Sequence, residues 1–318
     1  MSIAAVFRIN VFARQTPWCA LSEAVISANI VTSRRRLHRK AFYHSQQKGH
    51  NEMTNVITQR HGTILTIGIN RPEARNAVNP ETASQLVEAF NQFENDPGLT
   101  AAVVHGIGGN FCAGLDLKEI AHDASALNVE QDVTKGRGPM GPSRMQFTKP
   151  IIAAVSGYAV AGGMELSLLA DMRVVERSAI FGIFCRRFGV PLIDGGTVRL
   201  PQLIGLSRAL DLILTGRPIN SQEAYEFGLA NRVVPDGQGL QCAIELAHSI
   251  SSFPQKCMLA DRASAYNSTF DASSFTDAMQ YEYDSGAKVL VEESVPGAKR
   301  FSAGEGSLEK QAFHPGKE

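Results

Sequence analysis

Twice in this chain a short run of small and β-branched apolar residues leads straight into a glycine-rich turn. No other feature restricts the fold as much. The first run is Ala101-Ala102-Val103-Val104-His105-Gly106, ending in Gly106-Ile107-Gly108-Gly109. The second is Pro150-Ile151-Ile152-Ala153-Ala154-Val155, followed by Ser156-Gly157, then Gly162-Gly163, then an apolar helix from Met164. An unbroken apolar run of this length reads as a strand buried on both faces, as in a sheet covered on both sides. Repeated strand–turn–helix units give an α/β fold.

The neighbouring segments extend the pattern. Gly62–Asn70 reads as an earlier strand. Asn79 is placed to cap a helix that begins at Pro80, because proline tolerates the first helical position. Leu86, Val87, Phe90 and Phe93 follow at helical spacing. Residues 122–145 are polar, with several Gly and Pro, and read as a loop or mobile lid. Arg173–Val175 and Ala179–Phe181 read as short strands. From about Gly196 the pattern is helical almost throughout, over Leu200–Ile204, Ser207–Leu214, Ser221–Phe227, Leu240–Ser251 and Phe275–Val291. The expected organisation is a presequence over 1–52, a core over 53–250 and a helical C-terminal region over 251–318.

Charge separates the first segment from the rest. Residues 1–52 hold eight Lys/Arg and two acids, and the remainder holds 23 basic and 29 acidic residues. An arginine- and serine-rich, acid-poor leader fits mitochondrial targeting better than secretion, since Arg8 and Arg14 interrupt any apolar stretch. A mitochondrial matrix location is expected. The −6 remainder argues against a nucleic-acid partner, which needs a basic face. No apolar run reaches the ~18 residues of a membrane span. Five cysteines at irregular spacing, with no Cys-x-x-Cys, suit free thiols rather than disulfides or zinc.

Glycine turns allow a backbone to approach a ligand closely, and a helix N-terminus offers unpaired N–H donors. Two such donors aimed at one point can stabilise charge developing on a carbonyl oxygen. A dinucleotide-binding reading of Gly106–Phe111 fails, because Phe111 stands where a third glycine is needed.

Five ordered motifs carry a resemblance to a known family. Phe111-Cys112-Ala113-Gly114-Leu115-Asp116-Leu117-Lys118-Glu119 resembles the Phe-x-Ala-Gly-x-Asp-[Ile/Leu]-Lys-Glu motif of the crotonase (enoyl-CoA hydratase/isomerase) superfamily. Ala161-Gly162-Gly163-Met164-Glu165-Leu166 resembles its Gly-Gly-Gly-x-Glu-Leu. Ile69–Ala77, Gly195–Pro201 and Leu214–Arg217 resemble three further motifs, so the likeness runs over roughly residues 60–235. The resemblance implies a spiral core of ββα units with a helical C-terminal region, assembled as trimers or dimers of trimers. It implies an acyl-CoA substrate, with no cofactor beyond the CoA carried by that substrate and no metal.

The resemblance also implies site residues. Leu115 and Gly162 N–H groups form the oxyanion hole for the thioester carbonyl. Arg71, Ala74, Asn76, Ala113, Gly114, Asp116, Leu117 and Lys118 line the CoA site, although Lys118 reads equally well as a solvated surface lysine. Glu165, beside Met164, Leu166, Leu168 and Leu169, matches the first catalytic glutamate of the hydratases. A carboxylate in an apolar setting has a raised pKa and exchanges protons near neutrality. The second hydratase glutamate falls on Cys185, whose thiol is a poor replacement for a carboxylic acid in protonating a substrate carbon. Asp194, just before Gly195-Gly196, is either the second acid/base or an ordinary turn aspartate. Arg186 and Arg187 read as an ion-pairing element or as a site for an acidic acyl group. The expected reaction is hydration or dehydration of an enoyl-CoA. Enoyl- or dienoyl-CoA isomerisation is the alternative, and a weakly catalytic acyl-CoA- or RNA-binding protein is the reading from another class.

Overall fold

The computed structural model describes residues 54–122, 130–135 and 137–304. The expected presequence lies outside the described residues, as do Cys19, residues 123–129 of the polar stretch and the end of the expected C-terminal region. Two antiparallel strands open the fold, β1 (Val56–His61) and β2 (Ile64–Ile69), turning at Gly62. Helix α1 (Pro80–Asn95) follows, and the Asn79 side chain caps it by accepting from Thr82 N, as the Asn-Pro pair predicts. Next come β3 (Ala101–Gly106), α2 (Leu117–His122), β4 (Ile151–Val155), β5 (Tyr158–Val160), α3 (Gly162–Ser167), β6 (Met172–Glu176) and β7 (Ile180–Gly182). The chain continues through α4 (Gly196–Ile204), α5 (Leu206–Thr215), β8 (Pro218–Asn220), α6 (Ser221–Glu226), β9 (Arg232–Val234) and α7 (Gly239–Ser251). Helices α8 (Gln255–Phe270), α9 (Phe275–Val289) and α10 (Val295–Ser302) end the described chain.

The strands form two sheets, a six-stranded one in the order β1-β2-β3-β4-β6-β9 and a three-stranded one in the order β5-β7-β8. All pairings in the larger sheet are parallel except β1 with β2. Alternate side chains on a strand point to opposite faces. Leu65, Ile67, Ala102, Val104, Ile151 and Ala153 therefore join one core, with Leu86, Phe90 and Phe93 of α1. Ile64, Ala101, Val103, Ile152 and Ala154 join a second, closed by Ala243, Ile244 and Ala247 of α7. Both faces are covered, so β3 and β4 read as continuous apolar runs.

Two expectations are corrected and one is sharpened. The region after Gly196 contains strands β8 and β9, each three residues long. Helix α8 falls within the helical C-terminal region expected over 251–318, although no helical segment is singled out over residues 255–270. The described end of the polar stretch is packed rather than a free lid: Met140 is 0% and Ser143 2% exposed.

Fully buried Arg173 secures the far end of α3. Its guanidinium donates to the carbonyls of Leu229 (2.6 Å), Ala170 (2.8 Å) and Ser167 (3.3 Å). A cation at a helix C-terminus satisfies carbonyls that lack intrahelical partners.

Candidate active site

The first glycine turn is held bond by bond. Phe111 N–H donates to Ser156 O (2.7 Å), Cys112 N–H to Tyr158 O (2.9 Å) and Ala113 N–H to Arg75 O (3.1 Å). Gly114 N–H donates to Cys112 Sγ at 3.4 Å, and Asp116 N–H to Val78 O at 2.9 Å. Between them, Leu115 N–H takes part in no backbone hydrogen bond among the described residues. The bridge between Val78 and Leu115 runs through Gly114 O and Asp116 N, which leaves Leu115 N–H out. In a trans peptide the N–H points opposite the preceding C=O. Because Val78 N–H pins Gly114 O at 2.8 Å, the Leu115 N–H is aimed the other way.

The second turn supplies a donor by another route. Gly162 is the first residue of α3, so its N–H has no intrahelical acceptor. Ala161, just before it, has φ 53° and ψ −128°, a conformation that favours glycine. That strain costs on the order of 1–3 kcal/mol. It is held by Ala161 N–H on Gly182 O (2.8 Å), and Ala161 O receives Met164 N–H (3.0 Å) and Glu165 N–H (3.2 Å).

The two turns touch. A Cβ on Gly114 would lie 2.9 Å from Gly162 N, and one on Gly163 would lie 2.1 Å from Cys112 O. Only glycine lets α3 sit this close to the first turn. Ala113, Leu115, Leu117, Ala161, Gly162 and Glu165 line one cavity. Phe184, Cys185, Phe188, Val190, Pro191 and Asp194 complete it.

Two buried carboxylates share that cavity. Glu165 is 4% exposed, and its Oε1 accepts from Asp194 N (3.0 Å) and Gly196 N (2.9 Å). Burial, with the Asp194 charge second, pushes its carboxyl up to about 7. Asp194 is 2% exposed; its Oδ1 accepts from Met140 N at 3.0 Å and from the Ser143 hydroxyl. Burial raises this carboxyl as well. One oxygen of each group is thus anchored, and no protein donor among the described residues binds the other. The Cys185 thiol is also pushed up, first by burial and then by the Glu165 charge, so it stays protonated near neutrality.

Some expected CoA-site residues have other duties. Asn76 is 0% exposed; its Oδ1 accepts from Arg71 N (2.8 Å), and its Nδ2 donates to Ile107 O (2.9 Å) and Asn110 O (2.6 Å). It ties two loops together and offers no surface to a ligand. Arg71 pairs with Asp116 at 2.9 Å and donates to Ala77 O at 2.6 Å. Gly114 is buried within its turn, whereas Ala113 and Leu117 line the cavity. Ala74 is half-buried, and Lys118 is exposed on α2. The ion-pairing expectation for Arg186 and Arg187 is corrected. Arg186 donates to Ile213 O at 3.1 Å and Arg187 lies over the Phe184 ring at 4.5 Å; neither forms an ion pair among the described residues.

The sequence reading overlooked Met140, Ser143 and Arg199. Arg199 donates to Asp194 O (3.1 Å) and Ser143 O (2.9 Å), binding the segment around Met140 to the turn that carries Asp194. Its signal lay inside the Gly195–Pro201 motif. The apolar lining residues Phe184, Phe188, Val190 and Pro191 had no motif to mark them.

Comparison with known proteins fits this geometry. The enoyl-CoA hydratase/isomerase family matches residues 59–302. The chain belongs to that family. One relative, an enoyl-CoA hydratase of Mycobacterium tuberculosis, is 42% identical over 205 residues, 62% of this chain and 75% of its own. A mevalonyl-coenzyme A hydratase of Aspergillus fumigatus is 36% identical over 188 residues, 59% of this chain and 69% of its own. The crystal structure of an enoyl-CoA hydratase from M. tuberculosis H37Rv superposes with a TM-score of 0.72 at 36% identity, covering 79% of this chain and 97% of that one. The mixed α/β core with its helical end is thus the fold of the enoyl-CoA hydratase/isomerase family.

Proposed function

We propose that this chain is an enoyl-CoA hydratase, adding water across the double bond of an enoyl thioester and catalysing the reverse dehydration. The observation that carries this reading is the pattern of N–H groups along Phe111–Asp116. Every one is occupied except that of Leu115, and Leu115 lines the same cavity as Gly162, whose N–H also has no acceptor among the described residues. Two main-chain donors at one cavity, beside a buried carboxylate, suit a reaction that builds negative charge on a thioester oxygen.

The acyl group lies in the cavity with its carbonyl oxygen between the two N–H groups. Ionised Glu165 takes a proton from water as the water oxygen attacks the β-carbon. The double-bond electrons move onto the thioester oxygen, and the enolate rests on Leu115 and Gly162 N–H. Return of a proton to the α-carbon completes the addition. Asp194, protonated while Glu165 is ionised, is the carboxyl assigned to that step, and the proton left on Glu165 then passes to it to restore the starting pair: it lines the cavity, its pKa is raised, and its second oxygen has no protein donor among the described residues. Cys185 is too weak an acid to supply it. Ala74, Ala113, Leu117 and Lys118 are the candidates for the CoA path.

The isomerase reading keeps one observation in its favour. With a thiol at Cys185, the cavity moves protons with Glu165 and Asp194 alone, which also suits shifting a double bond without water. Turnover on 2-enoyl- and 3-enoyl-CoA substrates separates the two reactions. Hydration without isomerisation supports the first, and unchanged turnover in Glu165→Gln removes Glu165 from either.

Two further parts of the proposal concern setting. The +6 leader supports residence in the mitochondrial matrix. A trimer or a dimer of trimers is supported by apolar side chains left open on the helices, among them Phe275 (81% exposed), Leu214 (69%) and Val291 (77%). Imaging of the full-length chain and its solution mass test these two points.

A further inference from the structure

Of the five occupied N–H groups along Phe111–Asp116, four donate to main-chain carbonyls, which any residue provides. The fifth, Gly114 N–H, donates to a side chain, the Sγ of Cys112, at 3.4 Å. Cys112 is 0% exposed, and its own backbone locks both turns: its N–H donates to Tyr158 O (2.9 Å), and its carbonyl receives Val160 N–H (3.0 Å). The same carbonyl is the surface against which Gly163 of α3 packs.

We propose that Cys112 is a positioning residue for the oxyanion hole, its sulfur fixing the Gly114 peptide and thereby the direction of the Leu115 N–H. This rests on the hydratase reading, in which Leu115 N–H meets the thioester oxygen. Gly114 has φ 95°, outside the range that side-chain-bearing residues prefer, so backbone sterics alone leave its peptide planes under-determined. Val78 N–H holds the plane after Gly114, and the Cys112 sulfur holds the plane before it. Without the sulfur, the buried Gly114 N–H has no acceptor, and the turn gains by rotating to find one. That rotation carries the Leu115 N–H off its target. The thiol form suffices for this role: burial pushes Cys112 up to about 12, so it accepts as a neutral group across the working pH range.

The test compares Cys112→Ser, Cys112→Ala and Cys112→Val. Serine keeps an acceptor, whereas alanine and valine remove it, and valine fills the space left by the thiol. Two quantities are read: kcat and KM on an enoyl-CoA, and the infrared stretch of the thioester carbonyl of a bound, unreactive saturated acyl-CoA. Polarisation in the hole lowers that stretch below its value in water. We expect Ala and Val to lose about tenfold in kcat, with KM changed less than about twofold, because misdirecting one donor forfeits part of the hundredfold or more that its removal costs. Their carbonyl stretch moves back toward the free value, whereas Ser stays near wild type in both readouts. A packing role alone predicts the reverse order, with Val close to wild type and Ser worst; that order overturns the proposal. An unchanged carbonyl stretch in folded Ala and Val variants also overturns it. If the wild type itself shows no shift on binding, the hole fails and this inference fails with it. A wild-type shift that persists in Val removes the Cys112 role alone.

Discussion

Glu165 and Asp194 enclose the same cavity and are buried almost equally, yet they are held by different kinds of group. The bound oxygen of Glu165 is gripped by the amides of Asp194 and Gly196. That of Asp194 is gripped by one amide and one hydroxyl, both from the segment around Met140. Glu165 is therefore fixed to the rigid start of α4, whereas Asp194 also fastens a neighbouring loop. A carboxylate with a single task and one with two respond differently to loss of charge, and that difference can be measured.

The largest effect is expected at Glu165. Glu165→Gln keeps the accepting oxygen but cannot take a proton, so kcat falls by about 10²–10⁴-fold. Steady-state turnover on a short enoyl-CoA checks this, and a loss under tenfold breaks the assignment. Asp194→Asn keeps both acceptor bonds while removing the charge. A fall of about 10–10²-fold supports proton transfer by Asp194. Turnover near wild type reduces Asp194 to a loop fastener.

The same Asn variant sharpens the comparison through pH. Glu165 must be ionised to activate water, so kcat/KM drops as pH falls below about 7. Asp194 must hold a proton to deliver it, and burial raises its carboxyl, so kcat/KM also falls on the alkaline side, and this limb disappears in Asp194→Asn. An alkaline limb that persists in that variant shows that Asp194 is not the donor.

Stability carries the opposite sign. The carboxyl of Glu165 rises from 4.5 to about 7 on folding, so between these values the folded chain holds a proton that the unfolded chain has released. The stability from this group is complete below pH 4.5 and is lost as pH rises through about 7. Glu165→Gln is consequently more stable than wild type at pH 8 by about 3 kcal/mol, with the gain vanishing near pH 4.5. Thermal melts at the two pH values test it. The smallest effect belongs to Cys185→Ser, where turnover changes less than about threefold, because a thiol with a raised pKa keeps its proton near neutrality and transfers none.

Local chemistry explains which parts of this picture were visible in the sequence. The apolar runs of β3 and β4 and the Asn79-Pro80 cap are decided within a few residues, and both could be read directly. Strand β1 was hidden because its Ile-Thr-Gln-Arg stretch is largely exposed at a sheet edge. The three-residue strands β5, β8 and β9 exist only because a distant partner pairs with them. Helix α8 carries almost no apolar stripe; its anchors are polar, with Arg262 on Asp171 at 2.9 Å and on Phe147 O at 2.7 Å. Glu165 and Asp194 were both named from the sequence, but their meeting in one cavity depends on how α3 and the start of α4 pack. Asn76 was misjudged for the reverse reason: a conspicuous polar residue in a motif turned out to be an internal brace.

Both donors assigned to the thioester oxygen belong to the main chain, and that limits how genetics can reach them. Nineteen of the twenty encoded residues carry the same amide hydrogen, so changing the side chain at position 115 or 162 alters shape without deleting the donor. Proline alone removes it, and proline also breaks the turn. Backbone ester replacement at Leu115, made by chemical ligation, is the change that subtracts this hydrogen and leaves the side chain intact.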